Sequence, residues 1–300
     1  ALTKELFELP ESDKMGGYDK ALAGQRGYTP FKTEIAKGAE FHDLKEFWHV
    51  GRTMDPSSPL ATSMLPNVWP PVPEFKETFE TLYAEMDKVG ARILSSIARY
   101  LELPADWFDP AIADGNSILR LLHYPPIAGD AEGCIRAGAH EDINLITLLL
   151  GAEEAGLQIL RPDGSWMDVS PPEGGLAVNV GDMLQRLTNH VLPSTTHRVV
   201  NPEGPNVSRY SMPFFMHPTL STSLKALPSC IGDGPKRSTS IRPLPWDSRN
   251  KCPQVRTSAF PFRASIIVPE PQEWPVAPPC LAGSRATPLA SPAASWPASP

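Results

Sequence analysis

Residues 137–150 read AGAHEDINLITLLL and join a His-x-Asp pair to a strand-like apolar run. In extended backbone, residues i and i+2 point to the same face, so His140 and Asp142 can reach one ion while Glu141 faces away. Taken alone, a His-x-Asp pair is weak, because a surface histidine and a surface aspartate explain it equally well. The segments around it decide whether it belongs to a site.

Short segments rich in branched and aromatic residues recur between residues 117 and 216. They are residues 117–124, 143–150, 156–160, 175–180, 197–200 and 209–216. The turn sequences RPDGSW (161–166) and PPEGG (171–175) separate some of them. Short strands at this spacing, with no intervening helical pattern, are typical of an antiparallel sandwich or barrel.

One long amphipathic helix is predicted at about residues 73–101, whereas short helices and loops are expected before residue 70. Apolar residues recur there at steps of three and four, at Phe75, Phe79, Leu82, Met86, Val89, Ile93 and Ile97. Such a stripe indicates core packing and no catalytic role. A helix packed on strands makes the expected fold class mainly β (α+β).

The segment STTHRVVNP (194–202) supplies a candidate third ligand, because His197 begins a strand-like run 55 residues after Asp142. Two imidazoles and one carboxylate leave three adjacent positions open, which Fe(II) needs to bind a chelating co-substrate and O₂ together. Zinc hydrolases also use two histidines and an acid, but the missing H-E-x-x-H pattern favours iron. His190 competes for the third position. We favour His197, since His190 lies in the turn-like LTNHVLPS.

Arg209 and Ser211 again share one face of a strand-like run by the i, i+2 rule. A guanidinium beside a hydroxyl suits a carboxylate, which it can bind through charge-assisted hydrogen bonds. Tyr124, before two prolines, could add a hydroxyl to the same carboxylate. As a lone feature, an Arg-x-Ser pair is more often an ordinary surface pair.

Together, the Tyr-Pro-Pro, H-x-D, H and R-x-S elements resemble, in order and spacing, the isopenicillin N synthase-like branch of the Fe(II)/2-oxoglutarate-dependent oxygenases. The similarity runs from about residue 20 to about residue 235 and includes VNVGDMLQRLTN (178–189). It implies a double-stranded β-helix, or jelly roll, braced by helices. It also implies catalytic iron ligands at His140, Asp142 and His197.

The same resemblance implies that the distal carboxylate of 2-oxoglutarate is held by Arg209, Ser211 and Tyr124. The implied reaction uses Fe(II), 2-oxoglutarate and O₂ to oxidise a small organic substrate, with release of succinate and CO₂. Two alternatives keep the iron: oxidation without 2-oxoglutarate, as in isopenicillin N synthase itself, and fragmentation of 2-oxoglutarate to ethylene and succinate. A third is a non-catalytic binding protein on a degenerate barrel, against which the complete ligand set argues.

Three positions depart from the family pattern. The common Asn-Tyr-Tyr-Pro-Pro begins here with Leu122-His123-Tyr124, and His190 stands where a glycine is usual. His123 should face the opposite side of the strand from Tyr124. Leu187 and Asn189 are expected to shape the pocket wall.

Composition changes near residue 230. Residues 231–300 hold 14 of the 35 prolines, and 8 Lys and Arg against 4 Asp and Glu, which leaves a balance of −11 for the first 230 residues. We therefore expect an N-terminally incomplete oxygenase domain at 1–235 and a disordered or loosely attached Pro/Ser-rich tail at 236–300. A shifted reading frame would explain the change, and resequencing the locus tests that hypothesis.

The overall composition favours a small-molecule substrate over a macromolecular partner. The net charge of −7 gives no reason to expect nucleic acid, and the longest apolar runs are too short for a membrane span. The four cysteines lack C-x-x-C spacing and the N-terminal residues show no secretory leader, so we expect a cytoplasmic protein, working as a monomer.

Overall fold

The computed structural model describes residues 1–22, 24–36, 40–58, 60–62, 64–127, 133–150, 155–171, 174–231 and the backbone of 263–266. The chain divides into two units, residues 1–269 and 270–300, and every described residue belongs to the first. Apart from 263–266, the expected tail at 236–300 lies outside the described residues.

Helices and strands alternate irregularly along the chain. The helices are α1 (Leu2–Glu8), α2 (Glu11–Met15), α3 (Phe75–Tyr100), α4 (Asp109–Ile112) and α5 (Asp182–Leu187). The first strands are β1 (Gly27–Thr29), β2 (Glu46–Gly51), β3 (Ile118–Tyr124), β4 (Ala137–His140), β5 (Ile146–Leu150) and β6 (Leu157–Leu160). The others are β7 (Trp166–Asp168), β8 (Gly175–Val180), β9 (His197–Val199), β10 (Arg209–Met216) and β11 (Arg263–Ile266).

The strands form two facing sheets. The larger has the order β1-β2-β3-β10-β5-β8-β11, and the smaller has the order β4-β9-β6-β7. Pairing is antiparallel except between β11 and β8. Leu122 and Tyr124 of the larger sheet pack against Ala137 and Val199 of the smaller one. This confirms the mainly β fold expected from the strand pattern and the jelly roll that the family resemblance implied.

The two faces of strand β10 have different surroundings: one packs against α3 and the other faces the space between the sheets. Phe214 and Met216 are fully buried beneath α3, where Tyr83 packs edge-on against Phe214 with ring centres 5.0 Å apart. The odd-numbered residues, beginning with Arg209 and Ser211, face the space between the sheets. Helix α3 thus braces the outer face, while the inner face remains available for polar chemistry.

The predicted helix is confirmed at Phe75–Tyr100, but its buried face is rotated relative to the predicted stripe. Tyr83, Gly90 and Leu94 are buried, whereas Leu82 and Val89 are only half-buried. The stripe of large apolar residues omitted Gly90, where an added Cβ would lie 2.5 Å from the Met216 sulfur. At Gly90 the helix packs closely on Met216 of β10 because no side chain intervenes.

The expectation of helices and loops alone before residue 70 was wrong, because β1 and β2 extend the larger sheet there. Every residue of β2 is buried, including Glu46. The Glu46 carboxylate accepts hydrogen bonds from Lys14 Nζ at 2.8 Å, from the Tyr28 hydroxyl and from His123 Nδ1 at 2.7 Å. Because distant partners satisfy the charge of Glu46, β2 is buried on both faces although its sequence looks polar.

None of the helices in the described ranges combines the length and the apolar character that crossing a bilayer requires.

Candidate active site

The fold brings together the three predicted metal ligands. His140 ends β4, Asp142 follows two residues later, and His197 opens β9 directly opposite His140 in the β4–β9 pairing. One potential ligand atom from each residue lies within 4.8 Å of the other two. Each imidazole Nε2 is 3.8 Å from Asp142 Oδ1, and the two ring centres are 4.4 Å apart.

Backbone carbonyls fix which nitrogen each imidazole presents. His140 Nδ1 donates to the Gly138 carbonyl at 2.7 Å, and His197 Nδ1 donates to the Thr195 carbonyl at 3.0 Å. Since a carbonyl only accepts, both Nδ1 atoms carry hydrogen, and the Nε2 atoms are the ones that face Asp142 and are available to a metal. Burial, followed by the neighbouring His197 ring, lowers the pKa of His140, which keeps that imidazole neutral near pH 7.

Asp142 is 6% exposed and is held as an anion. Burial alone would raise the pKa of its carboxyl, but the His197 ring and hydrogen bonds from Thr147 and Asn179 outweigh burial and lower the pKa. Both hydrogen bonds go to Oδ2, at 2.5 Å from Thr147 Oγ1 and 3.0 Å from Asn179 Nδ2. Oδ1 therefore faces the two imidazoles.

This donor set fits an iron ion. Two imidazole nitrogens and one carboxylate oxygen converge from one side, with both histidine tautomers already set for ligation. Three protein donors leave the remaining positions of a six-coordinate ion to small molecules, an arrangement suited to Fe(II) chemistry with O₂.

A second contact joins the two ligand-bearing segments on the outside of the site. The Thr196 hydroxyl donates a short hydrogen bond to the carboxylate of Glu141. Glu141 thus points away from the triad, as the i, i+2 alternation predicts, and ties the segment of His140 and Asp142 to that of His197.

The predicted carboxylate-binding residues also come together. Arg209 and Tyr124 are partners across the β3–β10 pairing, and the guanidinium carbon lies 5.2 Å from the Tyr124 ring centre. Arg209 Nη1 is 3.4 Å from the Ser211 hydroxyl oxygen, to which it donates a long hydrogen bond. The Arg209 residue is 2% exposed, so its charge lies inside the barrel.

One cavity between the two sheets contains all six predicted residues in its lining. Its apolar walls include Leu122, Leu149, Leu157, Ile159, Val169 and Val199. Aliphatic walls around a few polar groups exclude water and strengthen electrostatic interactions with a bound ligand.

The cavity is also lined by two cations that the sequence analysis missed, Lys45 and Arg120. Lys45 Nζ lies 2.5 Å from a Glu34 oxygen and 2.8 Å from an Asp43 oxygen. Asp43 in turn accepts the backbone N–H of Gly138 at 2.8 Å, and the carbonyl of that glycine orients His140. The ion pairs thereby support the ligand end of β4.

Arg120 lies on the inner face of β3. Its Nε donates to His49 Nε2 at 2.6 Å, and its guanidinium stacks over the Phe47 ring at 4.2 Å and pairs with Glu34. No local motif marks Arg120, because His49, Phe47 and Glu34 come from distant parts of the chain. For Arg120, the available signal was a charged residue within the apolar segment 117–124.

The predicted position of His123 is confirmed, whereas Leu187 and Asn189 do not shape the cavity wall. His123 faces the opposite side of β3 from Tyr124, as predicted, and stacks on Tyr210 with ring centres 4.7 Å apart. Leu187 packs in the core and Asn189 is exposed, so neither belongs to the lining of the described cavity. His190 is exposed, with a backbone φ of +64° in a turn, and contributes no atom to the cluster of three ligands.

Comparison with known families gives the same assignment. Residues 115–218 match the model of the 2OG-Fe(II) oxygenase superfamily, and residues 1–72 match the N-terminal model described as non-haem dioxygenase in morphine synthesis. The 2-oxoglutarate-Fe(II) type oxidoreductase hxnY of Emericella nidulans is 35% identical over 78% of this chain and 70% of its own length. The 2-oxoglutarate-dependent dioxygenase frbJ of a Dothideomycetidae species is 32% identical over 80% of this chain and 65% of its own length.

Solved structures agree with these relatives. A Caulobacter crescentus protein described as a 2OG-Fe(II) oxygenase family member is 49% identical, covers 79% of this chain and 78% of its own, and superposes with a TM-score of 0.69. A full-length Neurospora crassa protein in complex with alpha-KG is 30% identical, covers 75% and 72% of the two chains, and gives a TM-score of 0.65. The chain therefore belongs to the 2OG-Fe(II) oxygenase superfamily and is a non-haem, 2-oxoglutarate-dependent oxygenase.

Proposed function

We propose that His140, Asp142 and His197 bind the iron of this oxygenase. The observation that carries the proposal is the convergence of their three ligand atoms within 4.8 Å at the wall of a cavity. The backbone carbonyls turn Nε2 of both imidazoles toward the cluster, and the lowered pKa of Asp142 supplies the carboxylate anion that ligation requires.

Arg209, Ser211 and Tyr124 bind the distal carboxylate of 2-oxoglutarate in this proposal. A buried guanidinium with a hydroxyl beside it matches a carboxylate in charge and in hydrogen-bonding geometry. Because these residues line the same cavity as the triad, one small dicarboxylate can contact both sets. The Neurospora crassa neighbour, solved in complex with alpha-KG, supports the choice of co-substrate.

In the proposed mechanism the metal supplies the redox chemistry, and the protein binds and orients the reactants. When bound, Fe(II) supplies the redox chemistry by which O₂, 2-oxoglutarate and the substrate give succinate, CO₂ and an oxidised product. The chain supplies three ligand atoms, and Arg209 fixes the far end of the co-substrate. The aliphatic walls exclude water, and the Gly138 and Thr195 carbonyls keep the imidazoles oriented during turnover.

Succinate release tests this function. The Fe(II)-loaded protein, supplied with 2-oxoglutarate and O₂, is screened against small carboxylates, amino acids and heterocycles. We expect substrate-dependent succinate in the wild type and none in Asp142→Ala. Ethylene from 2-oxoglutarate alone, or substrate oxidation that consumes no 2-oxoglutarate, would contradict the proposal.

We propose further that the protein acts as a cytoplasmic monomer on a small organic substrate, without a nucleic-acid or membrane partner. The net charge of −7 supports this, since polyanionic partners require basic surfaces. Light scattering on the purified chain tests the oligomeric state, and a dimer mass would contradict it.

The proposed oxygenase domain comprises residues 1–235, and residues 236–300 form a tail of different composition, of which Arg263–Ile266 pairs with β8 as β11. The change in proline content and net charge near residue 230 supports this boundary. Limited proteolysis with mass spectrometry tests it. We expect the first cuts after residue 235, and a tail as resistant as the barrel would contradict the boundary.

A further inference from the structure

A directed chain of hydrogen bonds ends on the ligand carboxylate of Asp142. Asn144 Nδ2 donates to Thr147 Oγ1 at 2.8 Å, and the Thr147 hydroxyl donates to Asp142 Oδ2 at 2.5 Å. A hydroxyl has one proton, and an amide nitrogen can only donate. Because Thr147 accepts from Asn144, its own proton is directed to Asp142.

A second donor reaches the same oxygen from the neighbouring strand. Asn179 Nδ2 lies 3.0 Å from Asp142 Oδ2, and Thr147 and Asn179 are direct partners across the β5–β8 pairing. Two donors on rigid strands thus engage Oδ2. The other oxygen, Oδ1, is the one that faces His140 and His197, 3.8 Å from each Nε2.

The first member of the chain is itself held in place. Asn144 is fully buried, and its backbone carbonyl accepts the N–H of Met183 at 3.0 Å. The backbone carbonyl of Asp142 accepts the N–H of Asp182 at 2.8 Å. The start of α5 therefore anchors the segment that carries both Asp142 and Asn144, so the hydrogen-bond chain has a fixed origin.

We propose that Thr147 and Asn179, with Asn144 behind Thr147, are positioning residues that select Oδ1 of Asp142 as the single metal-binding oxygen. The inference rests on the proposed role of Asp142 as an iron ligand. Occupying Oδ2 prevents the carboxylate from rotating or binding through both oxygens, which keeps further metal positions open for 2-oxoglutarate and O₂. Hydrogen bonds of this kind to ligand side chains typically contribute about 10- to 100-fold to metal affinity.

The test is Mn(II) affinity without 2-oxoglutarate, measured from the electron paramagnetic resonance signal of free Mn(II). Thr147→Val removes the hydroxyl and keeps the shape, whereas Thr147→Ser keeps the hydroxyl. We expect about 10- to 100-fold weaker binding in Thr147→Val and in Asn179→Ala, and nearly wild-type binding in Thr147→Ser.

Thr188→Val is the matched control. Thr188 is equally buried, but its hydroxyl donates to the backbone carbonyl of Leu184 at 2.8 Å, outside the cavity lining. It should lower the melting temperature of the metal-free protein and leave Mn(II) affinity unchanged. Should Thr147→Val not fold, Asn179→Ala, at a half-buried position, decides the question.

Asp142→Ala distinguishes a failure of the proposed iron site from a failure of the proposed positioning role. Unchanged Mn(II) affinity in Asp142→Ala would overturn the proposed iron site itself. Greatly weakened binding in Asp142→Ala, together with wild-type affinity in folded Thr147→Val or Asn179→Ala, would overturn only the positioning role.

Discussion

Arg209 and Tyr124 face each other across the β3–β10 pairing, with the guanidinium carbon 5.2 Å from the centre of the phenol ring. Both residues lie at the inner face of a sheet that α3 braces from outside. Their relative position is therefore set by strand register, and a dicarboxylate entering the cavity meets a preorganised cation.

The first prediction concerns this cation. Arg209→Gln removes the charge and one arm of the guanidinium fork, so the dissociation constant for 2-oxoglutarate should rise about 10- to 100-fold, since a hydrogen bond to a charged group contributes about 1.5–3 kcal/mol. Anaerobic calorimetry on the Mn(II)-loaded protein measures the change, while Mn(II) affinity itself should remain at the wild-type value.

Arg198→Gln is the control for that experiment. Arg198 lies next to His197, but its guanidinium stacks over Trp166 at 4.0 Å, and it is not part of the described cavity lining. It should bind 2-oxoglutarate like the wild type. If both variants lost the same affinity for 2-oxoglutarate, the effect of Arg209 would come from the loss of one positive charge and not from direct contact with the co-substrate.

The second prediction concerns Gly181, which lies between α5 and the ligand segment. Its φ of −105° is ordinary for alanine, yet an added Cβ would collide with both oxygens of Asn144 and lie 2.8 Å from the Asp142 carbonyl. Gly181→Ala should therefore lower the unfolding free energy by about 1–3 kcal/mol through overpacking. Because the shift reaches Asn144, Mn(II) affinity should fall as well.

Gly204→Ala provides the comparison, since an added Cβ there meets no atom within 4 Å. Its unfolding free energy and Mn(II) affinity should match those of the wild type within about 0.5 kcal/mol. Wild-type stability in Gly181→Ala would show that the segment from Asp142 to Asn144 tolerates displacement, which would contradict its anchoring by the start of α5.

The third prediction concerns pH. Burial alone would raise the pKa of Glu34, but the charges of Arg120 and Lys45 outweigh burial and lower the pKa to about 2 from a reference value of 4.5. Because the folded-state pKa is the lower one, the stabilisation is fully present above pH 4.5 and is lost as the pH falls toward 2.

Glu34→Gln should consequently lower the unfolding free energy of the metal-free protein at pH 7 by about 1–2 kcal/mol, a figure reduced for solvent screening of a partly exposed side chain. The difference from wild type should shrink between pH 4.5 and pH 2. Urea unfolding at a series of pH values measures it, with the exposed Glu5→Gln as control. A difference independent of pH would contradict the prediction.

Local spacing together with the family resemblance proposed the six site residues, and the fold brings all six to one cavity. His140 with Asp142, and Arg209 with Ser211, are each two residues apart on extended backbone, so sequence spacing alone determines that they share a face. The strands β3, β8 and β10 were also predicted from local sequence, because their apolar residues are contiguous.

What the sequence could not reveal depends on contacts between distant segments. Glu46 made β2 look polar, although Lys14, Tyr28 and His123 satisfy its charge in the fold. Thr147 was one polar residue in an apolar strand, and its role emerges only when the β5–β8 register brings Asn179 beside it. Such roles are set by tertiary register, which no local spacing encodes.

The proposed function requires that His140, Asp142 and His197 hold an iron to which 2-oxoglutarate binds. The most direct measurement is the visible absorbance of the metal-free protein titrated anaerobically with Fe(II) and then 2-oxoglutarate, in which a chelated keto acid gives a metal-to-ligand charge-transfer band. We predict this band in the wild type and in His190→Ala, and its loss in His197→Ala and Asp142→Ala. A band that persists in folded His197→Ala, or that is absent from folded wild type, would contradict the claim.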